Sequence, residues 1–211
     1  DAFCAEQAAL LDDYSLYAVA LEKFGGAAWW PRPEELRIRQ KEALRRCHTE
    51  WRDELGYQRF LQYAAQQQWR EVRLKARGLG ITLVGDMPLY VAGDSADVWA
   101  HPEWFTVGED GRPTLVAGVP PDYFSEDGQL WGNPLYRWDK LAASGYSWWV
   151  ERLRRTLAFC DVARIDHFRG LEQYWAVPAG ETTAKNGEWL PGPGAELLRA
   201  LRDGMDALPC L

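Results

Sequence analysis

The chain has few cysteines and no close pair among them. Cys4, Cys47, Cys160 and Cys210 lie far apart, with no C-x-x-C spacing. That argues against a zinc site or a disulfide framework and fits a reducing compartment, so a cytoplasmic location is expected. Histidine is scarcer still. His48, His101 and His167 show no metal-ligand spacing, and no metal is expected. Neither a Walker-type loop nor a G-x-G-x-x-G run is present, so no nucleotide and no other cofactor is expected. No apolar stretch approaches the ~20 residues that span a bilayer. No long basic run occurs, and 31 acidic against 24 basic residues give a formal charge of −7. Nucleic acid and anionic membrane are therefore poor partners. The chain also lacks an initiating methionine and a targeting sequence. It stops at Leu208-Pro209-Cys210-Leu211, an apolar run that reads as the start of a strand. A piece of a longer protein is expected.

What is present is tryptophan, at 12 of 211 residues. Flat rings stack on sugar faces and bury large areas while keeping one N–H donor. Half of them are expected to be structural.

Residues 1–77 read helical. From Tyr57 the apolar positions Tyr57, Phe60, Leu61, Ala64, Ala65, Trp69 and Val72 recur near helical spacing. Gly25-Gly26 and Trp29-Trp30-Pro31-Arg32-Pro33 mark breaks. After Gly78-Leu79-Gly80, the run Ile81-Thr82-Leu83-Val84 suits a strand buried on both faces of a parallel sheet, with Asp86 at its C-terminal end. Met87 to Gly145 reads mostly as long ordered loop, with one helical turn at Ser95 to Ala100. A helix is expected over Trp148 to Phe159, with Trp149, Leu153 and Leu157 inward and Arg152, Arg154 and Arg155 toward solvent. Val177 to Gly194 reads as irregular, and a last helix runs from about Ala195 to Met205. Strands alternating with helices imply a parallel sheet. Carboxylates at strand ends, followed by function-bearing loops, fit an α/β fold that is part of a (β/α)8 TIM barrel. A doubly wound sheet competes, but its usual glycine fingerprint is missing. The expected division is a helical insertion over 1–77 and a partial catalytic barrel over 78–211.

The most informative segment is Val162 to Gly170, V-A-R-I-D-H-F-R-G. Side chains alternate faces along a strand, so Arg164 and Asp166 point the same way. A guanidinium beside a carboxylate favours its ionised form. An aspartate so held at a strand end suits a nucleophile or an anchor for a developing cation. It equally suits a structural Arg–Asp pair, and these nine residues alone leave both readings open.

Three runs carry a resemblance. They are G-I-T-L-V-G-D-M-P-L-Y-V-A-G-D-S-A-D-V-W (Gly80 to Trp99), G-V-P-P-D-Y-F-S-E-D-G-Q-L-W-G-N-P-L-Y (Gly118 to Tyr136) and R-I-D-H-F-R-G (Arg164 to Gly170). In this order they resemble the 4-alpha-glucanotransferases, called amylomaltase in bacteria and disproportionating enzyme in plants. The likeness extends from about Leu11 onward. It implies a (β/α)8 barrel with helical insertions and long active-site loops, and transfer of α-1,4-glucan segments between malto-oligosaccharides. Amylose or glycogen-derived glucans would be the longer substrates, and a plant member would work in the plastid. The implied chemistry is a retaining double displacement, in which two carboxyl groups stand roughly 5 Å apart.

By this resemblance Asp166 matches the nucleophile and Arg164 the arginine that positions it, while His167 would donate to a sugar hydroxyl. Asp86 would bind the same sugar or orient its neighbours. The loop Gly118 to Pro134 matches a mobile cover over the acceptor and donor sites. There Tyr123, Phe124 and Trp131 would stack on glucose rings, and Asp122, Ser125, Gln129 and Asn133 would meet hydroxyls. Trp175 and Trp189 lie in the following segment. The family's acid/base glutamate belongs to an A-E-D-L-G motif after the next strand. No such run occurs, and none of Glu172, Glu181 and Glu188 matches it. The chain is thus expected to hold the nucleophile half of a site and to be inactive alone. Two alternatives remain: an α-glucan hydrolase of the amylase group, and a non-catalytic α-glucan-binding protein.

Overall fold

The computed structural model describes residues 2–205; the apolar run at Leu208 to Leu211, read above as a strand start, lies outside them. The first third is helical: α1 (Ala2–Glu6), α2 (Ala8–Lys23), α3 (Glu34–Arg37), α4 (Lys41–Glu50) and α5 (Arg52–Gly78). Proline punctuates it as the sequence suggests, with Pro33 just ahead of α3. Helix α5 has the expected period, yet the apolar positions read from Tyr57 to Val72 are not its buried ones. Leu55, Gln58 and Ala76 are buried, whereas Tyr57, Phe60, Trp69 and Val72 remain exposed.

Strand β1 spans Val84–Met87, three residues later than the apolar run proposed from sequence. The reason lies at Leu83. Its N–H donates to the Asp161 carboxylate at 3.0 Å, and its carbonyl accepts from the N–H groups of Asp161 and Val162. Ladder pairing therefore starts one residue beyond, and Asp86 sits inside β1 instead of after it. Ser95 caps the short helix α6 (Ala96–Ala100) by accepting from the Val98 N–H.

The segment read as long loop contains two strands, β2 (Leu115–Val119) and β3 (Gln129–Pro134), before α7 (Trp138–Ala143) and α8 (Ser147–Phe159). Strand β4 (Val162–Ile165) pairs in parallel with β1, matching Val84 with Val162 and Asp86 with Arg164. The stretch read as irregular, Val177 to Gly194, holds β6 (Glu188–Pro191); β5 (Gln173–Pro178) runs into its first two residues, and α9 (Gly194–Asp203) follows. These four strands form an antiparallel sheet in the order β3-β2-β5-β6. They escaped the pattern because L-V-A-G-V does not alternate, and Q-L-W-G-N-P and E-W-L-P carry residues that usually end strands.

One buried cluster draws on both halves, from Leu16, Tyr17 and Trp29 through Met87, Leu89 and Trp99 to Ile165, Leu197 and Leu201. Trp29, Trp99 and Trp149 are among its largest fully buried side chains. A second, small cluster of Val116, Val177 and Ala184 covers the opposite face of the antiparallel sheet. On α8, Leu153 is fully buried as expected, but Arg152 turns inward. It donates to the carbonyls of Leu89 and Pro88 and to the Tyr136 hydroxyl, so it fastens the segment after β1.

Candidate active site

The parallel register of β1 and β4 puts Asp86 opposite Arg164. The period of two along β4 puts Asp166 on the same side as Arg164. The guanidinium then joins all three. One terminal nitrogen reaches both Asp86 oxygens at 2.7 and 2.8 Å, and the other reaches Asp166 Oδ1 at 2.7 Å. The Asp166 N–H donates to the Met87 carbonyl at 3.0 Å, which pins the residue to the end of β1. The cluster is open to solvent, with Arg164 and Asp166 side chains 51% exposed and Asp86 63%. No glutamate among the described residues joins this hydrogen-bonded group.

The chain turns sharply after Asp166. His167 takes a left-handed conformation, φ 49° and ψ 44°. That is uncommon for a side chain with a Cβ and must be maintained by its surroundings. The ring is half-buried, edge-on to Trp131 at 4.8 Å and tilted to Tyr90 at 6.3 Å. Its Nε2 is buried and has no hydrogen-bond partner among the described residues. Burial pushes the imidazole below its ordinary value, partly offset by the nearby Asp166 charge. Gly170 lets the turn close. A Cβ there would lie 2.4 Å from Leu89 Cδ2 and 2.9 Å from His167 Cδ2.

Strands β2 and β3 form a hairpin whose base adjoins this turn. Trp131 on β3 touches His167, and the Asn133 amide donates to the Val91 carbonyl at 2.9 Å. Gln129 Oε1 accepts from the Trp131 indole at 3.1 Å. At the tip, Tyr123 and Phe124 are 98% and 92% exposed and stand edge to face. Asp122 and Ser125 are engaged within the loop. Asp122 Oδ1 accepts from the N–H groups of Phe124 and Ser125, and the Ser125 hydroxyl donates to the Gly128 carbonyl. Gly128, at φ 67°, closes the turn where an added Cβ would meet the Val119 carbonyl.

The structure therefore brings together Asp86, Arg164, Asp166, His167 and Trp131, with Asn133 bracing the hairpin base. It places Tyr123 and Phe124 at the free end of the hairpin. Tyr90 was not singled out from sequence. It is buried against Trp131, Tyr136 and His167, and burial pushes its phenol well above the usual range. The signal that could have found it is its place in the Gly80 to Trp99 run, four residues after Asp86. Trp175 lies on β5 and gives its indole N–H to the Ala184 carbonyl. Trp189 carries the Arg169 guanidinium over its ring at 4.4 Å.

A model of the 4-alpha-glucanotransferase family matches residues 1–210. The 4-alpha-glucanotransferase of Thermus thermophilus is 47% identical over 212 residues, which cover 100% of this chain and 42% of that protein. Its counterpart in Synechocystis sp. is also 47% identical, over 98% of this chain and 41% of its own length. The chain thus spans about two fifths of the length of these curated relatives. Among solved structures, the amylomaltase from Streptococcus agalactiae in complex with acarbose superposes with a TM-score of 0.94 at 37% identity. The match covers 99% of this chain and 42% of that one. The amylomaltase from Corynebacterium glutamicum, 20% identical with a TM-score of 0.70, shares the fold. The fold is part of a (β/α)8 barrel, as the order of elements implied.

Proposed function

The chain belongs to the 4-alpha-glucanotransferase family, and from that premise we propose that the protein moves α-1,4-glucan segments between malto-oligosaccharides by a retaining double displacement. Asp166 is the nucleophile of this reading. The observation that carries it is the Arg164 fork, which hydrogen-bonds both Asp166 and Asp86 at the ends of β4 and β1. Holding the nucleophile in a fixed orientation lowers the barrier before any bond changes.

The steps follow from the residues. Asp166 attacks the anomeric carbon and forms a glycosyl ester, while the sugar on the reducing side leaves with a proton from the acid/base glutamate that the family's A-E-D-L-G motif implies. The 4-hydroxyl of a second glucan then attacks the same carbon, returns its proton to that glutamate and releases Asp166. Asp86 accepts hydrogen bonds from the sugar held at the cleavage point. His167, with Nε2 unpartnered among the described residues, donates to one of its hydroxyls. Tyr123, Phe124 and Trp131 provide stacking faces, with Gln129 and Asn133 beside Trp131. Asp122 and Ser125 act first by shaping the tip. The acid/base glutamate is assigned to none of Glu172, Glu181 and Glu188; Glu181, for example, accepts from the Asn186 amide at 3.0 Å. Segment 1–77 is the helical insertion that supports the barrel strands of 78–211. Amylose and glycogen-derived glucans are the proposed larger substrates, and the cytoplasm, or the plastid in a plant, the working compartment.

A fluoride donor tests the nucleophile separately from the acid, because fluoride leaves without protonation. In the full-length enzyme, α-maltosyl fluoride should give a covalent adduct whose mass maps to Asp166, and Asp166→Asn should abolish it. Transfer to glucose should exceed release to water, which distinguishes the protein from a hydrolase. An unchanged adduct in the Asn variant would refute the assignment. Binding of maltotriose with no adduct in the parent would favour a glucan-binding protein.

A further inference from the structure

The hairpin tip is held from outside at one place. The Ala184 N–H donates to the Asp127 carbonyl at 2.9 Å, and Lys185 Nζ meets Asp127 Oδ1 at 2.6 Å. Among the described residues, no other hydrogen bond or ion pair joins 120–127 to a segment outside the hairpin. Ala184 is itself fixed. It is fully buried against Val116 and Val177, and its carbonyl accepts the Trp175 indole N–H at 2.7 Å. Gly187 lets the loop lie flat on that indole, since a Cβ there would fall 2.3 Å from Trp175 Nε1.

Two kinds of contact meet at Asp127. The main-chain bond from Ala184 ends in a packed, dry anchor. The Lys185 ion pair is on the surface, with side chains 52% and 63% exposed. Surface pairs are weak and are screened by salt. One contact thus serves as a fixed pivot and the other as a releasable tie. The tip beyond them is closed internally, by the Asp122 carboxylate and the Ser125 hydroxyl.

We propose that Lys185 and Asp127 form a latch that sets how far the Tyr123–Phe124 tip swings, and so divides the glycosyl-enzyme between sugar acceptor and water. The inference rests on the transferase reading above. Both are positioning residues: they act on the reaction through the tip and need not touch the sugar. With the latch closed, the stacking faces stay where an acceptor ring can use them. With it open, the tip spends more time away and water gains access.

The test uses the full-length enzyme with α-maltosyl fluoride as donor and glucose as acceptor. Lys185→Ala and Asp127→Ala should each raise hydrolysis relative to transfer by about threefold, the scale of an exposed ion pair. Adduct formation without acceptor should stay at the parental rate. Raising salt should shift the parental ratio toward hydrolysis and leave that of Lys185→Ala unchanged. The exchange Asp127→Lys with Lys185→Asp should restore the ratio. Chymotrypsin should cut after Tyr123 or Phe124 faster in Lys185→Ala than in the parent. Parental ratios and parental salt response in both single variants, with normal adduct formation, would overturn the latch. Absence of the adduct in the parent itself would overturn the transferase reading, and the latch as a partition device with it.

Discussion

Replacing Arg164 by lysine separates what this residue does for stability from what it does for chemistry. The guanidinium makes three contacts of 2.7 to 2.8 Å to two carboxylates on neighbouring strands. Two unit charges at 2.7 Å attract by about 1.5 kcal/mol at the permittivity of water and by about 6 kcal/mol at an effective value of 20. The free site is half open to solvent, so the first limit applies and side-chain ordering offsets most of it. Arg164→Lys should therefore change the unfolding free energy by less than about 1 kcal/mol. On the transferase reading proposed above, a bound glucan would exclude water and move the site toward the second limit. Lysine presents a point charge without a planar fork, so it can face Asp86 or Asp166 but cannot align both. A nucleophile misplaced by a fraction of its attack distance loses about a hundredfold in rate, or roughly 2.7 kcal/mol. The assay pairs urea unfolding with stopped-flow adduct formation from α-maltosyl fluoride in the full-length enzyme. A lysine variant within about threefold of the parental rate would show that the fork is only a strand-end clamp. A rate loss matched by an equal loss of stability would point the same way.

Three further outcomes are expected. Tyr123→Ala or Phe124→Ala should raise hydrolysis over transfer by about fivefold and weaken acceptor binding, since a stacking face contributes about 1 kcal/mol; unchanged ratios of reducing-end release to transfer in both variants would make the tip merely structural. Gly170→Ala should cost about 1–3 kcal/mol in urea unfolding, because the new Cβ must displace buried Leu89 or the His167 ring, and it should raise KM for maltotriose; parental values of both would show that the turn has slack. Asp161 accepts from the Leu83 N–H and from Arg73 and Arg77, which hold its carboxyl far below the usual carboxylate range. Its stabilising effect is complete above the unfolded value of about 3.9 and is lost as pH falls below that. Asp161→Asn should be less stable than the parent at pH 7 and show a flatter decline between pH 4 and 2, read from urea midpoints; parallel declines would exclude the clamp.

The part of the site legible in the sequence was the part governed by short-range geometry. Two residues apart on a strand means one face, so Arg164 with Asp166 could be read directly. Asp86 as the third member could be placed only by resemblance, because no local rule gives the register of strands separated by 78 positions in the chain. The four antiparallel strands were missed for lack of alternation. The loop residues were read as facing substrate although D-Y-F-S is also a sequence that bonds its own backbone, as Asp122 does. Arg152 looked solvated because helical spacing assigns a face but does not reveal what crosses it. The same limit applies to α5, whose period was plain while its buried side was not.

The pairing of β1 with β4 also orders events during folding. Closing a loop of 78 residues costs roughly 4 kcal/mol of chain entropy before a single ladder bond forms. The β2–β3 hairpin, the helices and the β5–β6 hairpin each close over far shorter spans and can assemble first. On a ribosome, Asp86 emerges well before Arg164 exists and waits unpaired while the hairpin between them takes shape. The Asp86–Arg164–Asp166 cluster is thus a late product of folding. A substitution that slows the docking of β4 would lower the yield of folded protein without altering the structure that does form.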